Sequence, residues 1–257
     1  MRILEYGDIS NPAIMLIHGF ESPYQIWNDY IEHYKFKYHI LVPILPGHDV
    51  EEKSEFISLA ATSQEIERYC ISKSIHHLFA VYGMSMGGVL AAHLWQNRRL
   101  TFEKVILESS PILSFEAWVT RILTKQYLSL TKKARARDER TVQHAINSMV
   151  TEDMLDEFLK LLDGISDDTI KNYLREVGSY KLPTDINTPN TQLFYFYGGK
   201  MNEFVFRNAA KYLKEHYENV TTVCLKGKGH CEDALLHPKQ RIKQLDQILN
   251  YERRVSK

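Results

Sequence analysis

Cysteine is scarce in this chain: Cys70, Cys224 and Cys231 are the three among 257 residues, an odd number without metal-ligand spacing. That argues against a disulfide scaffold or a zinc module and suits reduced thiols in a cytosolic protein. Neither sign of charge is in excess, because 32 Lys plus Arg face 32 Asp plus Glu. There is no global basic field to draw in nucleic acid or an anionic membrane. No apolar run reaches the roughly 18 residues of a membrane span. The opening "MRILEYGDISNP" has no long apolar core, so a signal peptide is not expected. An HExxH pair, a dinucleotide fingerprint and a phosphate loop ending in Lys-Ser/Thr are all missing, so no metal and no organic cofactor is implied. Internal repeats and low-complexity stretches are absent too.

What remains is an ordinary globular composition, 44% hydrophobic and 25% charged. The length allows one large domain or two small ones. Six apolar runs read as buried strands: "AIMLIHG" from Ala13, "HILVPILPG" from His39, "HLFAVYG" from His77, "KVILESSP" from Lys104, "QLFYFYGG" from Gln192 and "VTTVCLKGKGH" from Val220. Each is short, rich in β-branched or aromatic residues, and closed by Gly, Pro or Ser. Continuous rather than alternating apolarity suits strands covered on both faces, as in a parallel sheet. "RILEYG" at the start adds an expected edge strand. Helical patterns span Ser54 to Ser74, Met86 to Asn97, Glu203 to Tyr217 and Ala234 to Tyr251. Strand alternating with helix is the mark of an α/β fold with helices on both faces of a mostly parallel sheet.

One segment breaks the alternation. Between Ser114 and Tyr180 the patterns are helical, as in "DMLDEFLKLL" and "DDTIKNYLREV". The expected organisation is a core of 1–110 and 185–257 with a helical insertion at 111–184. The chain returns from it through "KLPTDINTPN", whose prolines mark a loop. The charge run "KKARARDER", Lys132 to Arg140, reads as a solvated helix face.

The chemistry gathers at "GMSMG", Gly83 to Gly87, which fits G-x-S-x-G between an expected strand and an expected helix. A nucleophilic serine has to stand clear of the strand end on a strained turn, and flanking glycines let the backbone come close. The following helix aims its first N–H groups at the place where an oxyanion would form. Ser85 is therefore the candidate nucleophile. A serine hydroxyl needs a base. Of eleven histidines, His230 stands out, at the end of the last strand run in "LKGKGHCED". A short glycine loop there lets it reach across the sheet's C-terminal edge. The expected oxyanion donors are the backbone N–H groups of Met86, after the nucleophile, and Phe20, in "LIHGF". His18 would brace that loop.

With "HGF" at His18, "LPGH" at Leu45, "GMSMGG" at Gly83 and "GKGH" at Gly227, in that order, the chain resembles the α/β-hydrolase fold proteins of the lid-bearing esterase and lipase-like kind. The resemblance covers roughly Ile14 to Ser110 and Thr191 to Leu249. It implies that the helical insertion is a cap. It also implies a third catalytic member, an acid between serine and histidine in chain order, usually in a G-x-x-D pattern after the strand before the last. "YFYGGKMNEF" departs from this, since Met201 and Asn202 occupy the expected places. Glu203 is the nearest carboxylate and the first choice. Glu108, after the preceding strand, is the second, and Asn202 or no acid at all remain. Asp233 lies too near His230 in sequence to serve.

The insertion's apolar residues, Trp118, Ile122, Leu123, Tyr127 and Leu128 early, and Met149, Met154, Leu155, Phe158 and Leu162 later, are expected mainly to pack the cap, with some facing an acyl pocket. Tyr24 and Trp27 are candidate pocket walls. The resulting expectation is a cytoplasmic serine hydrolase acting on a small or medium carboxylic ester, with thioester or other acyl and carbon–carbon bonds, or a non-catalytic binding role, as alternatives.

Overall fold

The computed structural model describes residues 1–186 and 188–250. Among them the six expected strands all form: β2 (Ala13–Ile17), β3 (His39–Pro43), β4 (His77–Met84), β5 (Thr101–Glu108), β6 (Gln192–Gly198) and β7 (Val220–Leu225). The edge strand β1 (Ile3–Tyr6) forms as well. The sheet order is β1-β3-β2-β4-β5-β6-β7. Only β1 runs antiparallel, in register Ile3 with Pro43 and Tyr6 with Ile40. The other pairs are parallel, for example Leu16 beside Tyr82 and Leu107 beside Tyr195.

The strands are apolar on both sides because both sides are covered. Met15, Ile17, Leu41, Val81, Val105 and Leu107 face one core. Ile14, Leu16, Ile40, Val42, Ala80, Tyr82 and Ile106 face the other. Burying each such large aliphatic stabilises the fold by about 1.5–3 kcal/mol relative to exposure. The first core is closed by α2 (Leu59–Ser72), α3 (Met86–Asn97) and α8 (Phe204–His216), through residues such as Ile66, Leu90 and Leu213. The second is closed by α1 (Asn28–Tyr34) and α10 (Pro238–Ile248), through Tyr30, Ile31, Ile242 and Leu245. Trp27, expected as a pocket wall, is fully buried in this second core, edge-on to Tyr30 and Tyr82.

Local chemistry sets the helix ends. Helix α2 starts later than the apolar pattern suggests, because the Ser58 hydroxyl accepts the Ala61 N–H at 3.1 Å and caps it there. Ile57 is left exposed in the preceding loop. The single helix expected from Ala234 divides into α9 (Glu232–Leu236) and α10, because Pro238 cannot continue a helix but starts one well. Tyr251, its expected last residue, lies outside the described residues.

Between β5 and β6 the chain is helical, as expected: α4 (Ala117–Arg135), α5 (Glu139–Ser148), α6 (Leu155–Gly164) and α7 (Asp167–Ser179). Phe158 and Leu162 are buried, whereas Trp118 and Ile122 are largely exposed. The charge run is not simply a solvated face. Arg135 Nε donates to the Leu162 carbonyl at 2.7 Å, and Arg137 grips Asp163 through both terminal guanidinium nitrogens, so the run ties α4 to α6. The segment rests on loops after β2 and β3. Tyr173 stacks on Phe56, with centroids 3.6 Å apart, and its hydroxyl donates to the Pro46 carbonyl at 3.2 Å. It therefore covers the C-terminal edge of the sheet, where open α/β sheets place their sites.

Candidate active site

Ser85 stands between β4 and α3 with φ 51° and ψ −118°, a conformation few non-glycine residues adopt. Strain of this kind costs about 1–3 kcal/mol and persists only where the surroundings enforce it. They do so here. The Ser85 N–H donates to the Glu108 carbonyl at 2.7 Å. A Cβ on Gly83 would lie 2.4 Å from the Gly87 carbonyl oxygen, and one on Gly87 would lie 2.3 Å from that of His18. No side chain fits either place, so the glycines of "GMSMG" are required by close backbone approach.

His230 sits on the loop after β7 and comes back over the sheet edge. Its Nε2 lies 2.9 Å from Ser85 Oγ. Phe206 of α8 backs the imidazole, with ring centroids 4.9 Å apart. The loop is held from below. Glu232 accepts the Gly229 N–H at 2.9 Å and pairs with Lys200 at 2.7 Å, and these two interactions hold its carboxyl down at about 2. The Lys200 N–H donates to the Lys228 carbonyl at 3.1 Å, which joins this loop to the one after β6.

Of the two candidate carboxylates, Glu203 is the one that comes near His230. One turn of 3-10 helix, Met201–Glu203, follows β6 and turns Glu203 inward, where it is 2% exposed. Its Oε2 lies 3.9 Å from His230 Nδ1, beyond hydrogen-bond range, and has no hydrogen-bond partner among the described residues. Gly198 makes the approach possible, because a Cβ there would lie 2.9 Å from Glu203 Cγ and 2.6 Å from the Lys228 carbonyl oxygen. Asn202 is exposed. Glu108 is committed elsewhere, accepting from Arg241 Nη2 at 2.6 Å and from the Tyr82 hydroxyl.

The expected oxyanion donors are the Met86 and Phe20 N–H groups. Met86 is the first residue of α3, where the helix supplies no partner for the amide. Gly19 lies against Ser85, its hypothetical Cβ 3.5 Å from Ser85 Cβ, and Phe20 follows it. No acceptor among the described residues takes the Phe20 N–H. His18 is fully buried. Its Nε2 accepts the Leu45 N–H at 3.1 Å while Nδ1–H donates to the Gly19 carbonyl at 2.9 Å. Burial pushes its pKa down to about 4, so it stays neutral and ties two loops together, as expected of it.

Two sets of contacts escaped sequence reading. His48, the last residue of "LPGH", accepts the Glu21 N–H at 3.0 Å. Phe20 packs its ring against Tyr127 and Tyr173, with centroids 5.4 and 4.9 Å away. The motif gave a hint for His48. Nothing in the local sequence pointed to the contacts of Phe20 with Tyr127 and Tyr173, which lie more than a hundred positions away.

Scans against protein-family models and curated protein sequences find no match. Solved structures do match. A protein of Desulfitobacterium hafniense provisionally placed in the alpha/beta hydrolase family superposes with TM-score 0.77 at 18% identity, over 97% of this chain and all of that one. The fold is that of the α/β-hydrolases. A carboxylesterase of the thaumarchaeon Nitrososphaera gargenis gives TM-score 0.76 at 16% identity, covering 96% of this chain and 93% of that one. A thermophilic esterase of Thermogutta terrifontis, solved with malate bound, gives 0.72 at 13%, covering 97% and 94%. At these identities the likeness concerns the α/β-hydrolase fold. The sheet order, the elbow after β4 and the helical insertion after β5 are the features of this chain that fit it. No helix among the described residues is long and apolar enough to cross a membrane.

Proposed function

We propose that the chain is a serine hydrolase that cleaves small or medium carboxylic esters through an acyl-enzyme. The observation that carries this reading is the 2.9 Å contact between Ser85 Oγ and His230 Nε2, with Ser85 held on a strained elbow at the head of α3. In this reading Ser85 Oγ attacks the acyl carbonyl while His230 Nε2 takes its proton. The carbonyl oxygen becomes an oxyanion and is met by the Phe20 and Met86 N–H groups. His230 then gives the proton to the leaving alcohol. Water repeats the sequence on the acyl-enzyme and returns Ser85. Glu203 orients His230 and stabilises the imidazolium. Its 3.9 Å separation shortens to a hydrogen bond when the ring becomes charged, since catalytic bonds are often long before substrate binds.

The helical segment acts as the cap, excluding water above Ser85. The residues provide the nucleophile, the base and the charge stabilisation, so the reaction calls for no cofactor. The unpaired thiols of Cys70, Cys224 and Cys231 fit a reducing, cytoplasmic setting. The choice of ester over thioester, amide or carbon–carbon bond rests on likeness of fold to esterases.

The test is a fluorophosphonate probe. It should label Ser85 in the folded protein and leave Ser85→Ala unlabelled. No label on the intact, folded protein would sink the reading in favour of a non-catalytic binding role. A panel of p-nitrophenyl esters set against acyl thioesters then decides the bond; turnover confined to thioesters would replace the ester assignment.

A further inference from the structure

Glu21 follows the oxyanion-side residue Phe20, has φ 53°, and is 5% exposed. No role in the proposed chemistry requires a carboxylate there. Its Oε1 lies 2.7 Å from Thr131 Oγ1 of α4, and the same Thr131 Oγ1 lies 2.8 Å from the Tyr127 carbonyl oxygen. A threonine hydroxyl carries one hydrogen. If Glu21 were ionised, both neighbours would be acceptors and would compete for that hydrogen. Both contacts are satisfied together when the Thr131 O–H donates to Tyr127 and the Glu21 carboxyl, carrying its own proton, donates to Thr131.

The surroundings agree. From α4, the nearby cation is Arg135, whose donors are turned away to the Leu162 and Ile165 carbonyls and to Asp167. Tyr127, also on α4, is buried, and its pKa is pushed up to about 12 by burial and by Glu21. From the loop after β3, His48 is held neutral: its Nδ1–H donates to the Pro46 carbonyl at 3.2 Å, its Nε2 accepts the Glu21 backbone N–H, and burial beside His18 keeps its pKa well below the usual range. No charged donor hydrogen-bonds to Glu21, and burial outweighs both the Thr131 hydrogen bond and the Arg135 charge, raising its carboxyl to about 7.

We propose that Glu21 is a positioning residue: a protonated carboxyl that latches the Phe20 loop to α4, so that loss of its proton loosens the oxyanion side and the cap together. This rests on Phe20 acting as an oxyanion donor. The latch is completed by Phe20 itself, whose ring is clamped by Tyr127 of α4 and Tyr173 of α7. Ionisation draws the Thr131 hydrogen away from Tyr127 and leaves a buried anion that gains by reaching water.

The test compares Glu21 with Glu21→Gln, whose side-chain amide still donates to Thr131 but carries no titrating proton. The first readout is the thermal midpoint in a Ser85→Ala background, which needs no activity. A carboxyl with a folded pKa of about 7 against an ordinary 4.5 holds extra protons when folded. Stability is therefore lost as pH rises through that window. The Glu21 protein should fall relative to the Gln variant between about pH 5 and 7 and run parallel above it. Parallel curves throughout overturn the latch.

The second readout is the fluorophosphonate labelling rate with Ser85 intact, taken as the ratio of Glu21 protein to Gln variant so that pH effects common to both proteins cancel. The ratio should drop about threefold or more from about pH 6 to 8, as an oxyanion donor is lost from place. A flat ratio beside a titrating midpoint overturns the positioning role. Absence of label in both proteins overturns the hydrolase reading and the positioning role with it, while the midpoint still decides the protonation state.

Discussion

Two buried glutamates on adjacent strand ends have opposite surroundings. At the end of β5, Glu108 is 0% exposed and both carboxylate oxygens are used, one by Arg241 and one by Tyr82. Arg241 is itself stacked over the Phe196 ring at 4.5 Å. Beyond β6, Glu203 is 2% exposed, yet one oxygen has no hydrogen bond and faces His230. A fully paired buried carboxylate is cemented into the fold. One left unpaired costs stability, and the proposed mechanism gives that cost a use, since Glu203 would meet the charge that forms on His230. Chain order and residue type could not separate the two; their partners do.

The widest separation between these regions is expected in catalysis. Glu203→Ala should lower kcat/KM by about 10³–10⁴-fold, some 4–5.5 kcal/mol of barrier, while leaving the thermal midpoint unchanged or higher. Ester turnover close to that of the parent protein would strike Glu203 from the triad. Glu108→Ala should do the reverse. Removing one partner of a buried pair costs about 3–5 kcal/mol, here read by urea unfolding, with turnover per folded molecule retained. If Glu108→Ala stayed stable but inactive, the two roles assigned here would be exchanged.

Gly198→Ala should act on the Glu203 side alone. Its new Cβ must displace Glu203 Cγ or the Lys228 carbonyl. A misplacement of this size is expected to cost about 10²-fold in kcat, roughly 3 kcal/mol of barrier, with KM less affected. Steady-state kinetics of the variant would show it, and an unchanged kcat would mean that the two loops have room to move. The smallest effect belongs to Glu232 under the His230 loop. Its carboxyl is lowered by Lys200 and the Gly229 N–H, so its contribution is present above the ordinary 4.5 and is lost as pH falls toward about 2. The side chain is partly exposed, so screening limits it, and Glu232→Gln should cost less than about 1 kcal/mol at pH 7. Thermal midpoints of the two proteins should converge near pH 2–3; a difference that persists there is not electrostatic.

Much of the scaffold was legible because it is written locally. Continuous apolar runs such as "AIMLIHG" can be buried on both faces only as interior strands, and "GMSMG" carries glycines where backbone meets backbone. The division of the last helix at Pro238 and the delayed start of α2 at Ser58 were equally local, but a periodic pattern reads through single breaking or capping residues. The exposed side of α4 was misjudged because Trp118 and Ile122 look like core residues until their neighbours are known. The charge run Lys132 to Arg140 shows the reverse, since its arginines look solvated until α6 is brought beside them.

The sequence by itself determined the strand and helix plan, the elbow serine and the histidine on the last loop, because each depends on residues a few positions apart. Tertiary structure decided which carboxylate faces His230, which one is bound to Arg241, and what holds the Phe20 loop. Some of those contacts join residues more than a hundred positions apart, 133 for Glu108 and Arg241. Their energies depend on burial and on the partners that fill each hydrogen-bonding site, and neither quantity exists until the sheet has closed over its helices.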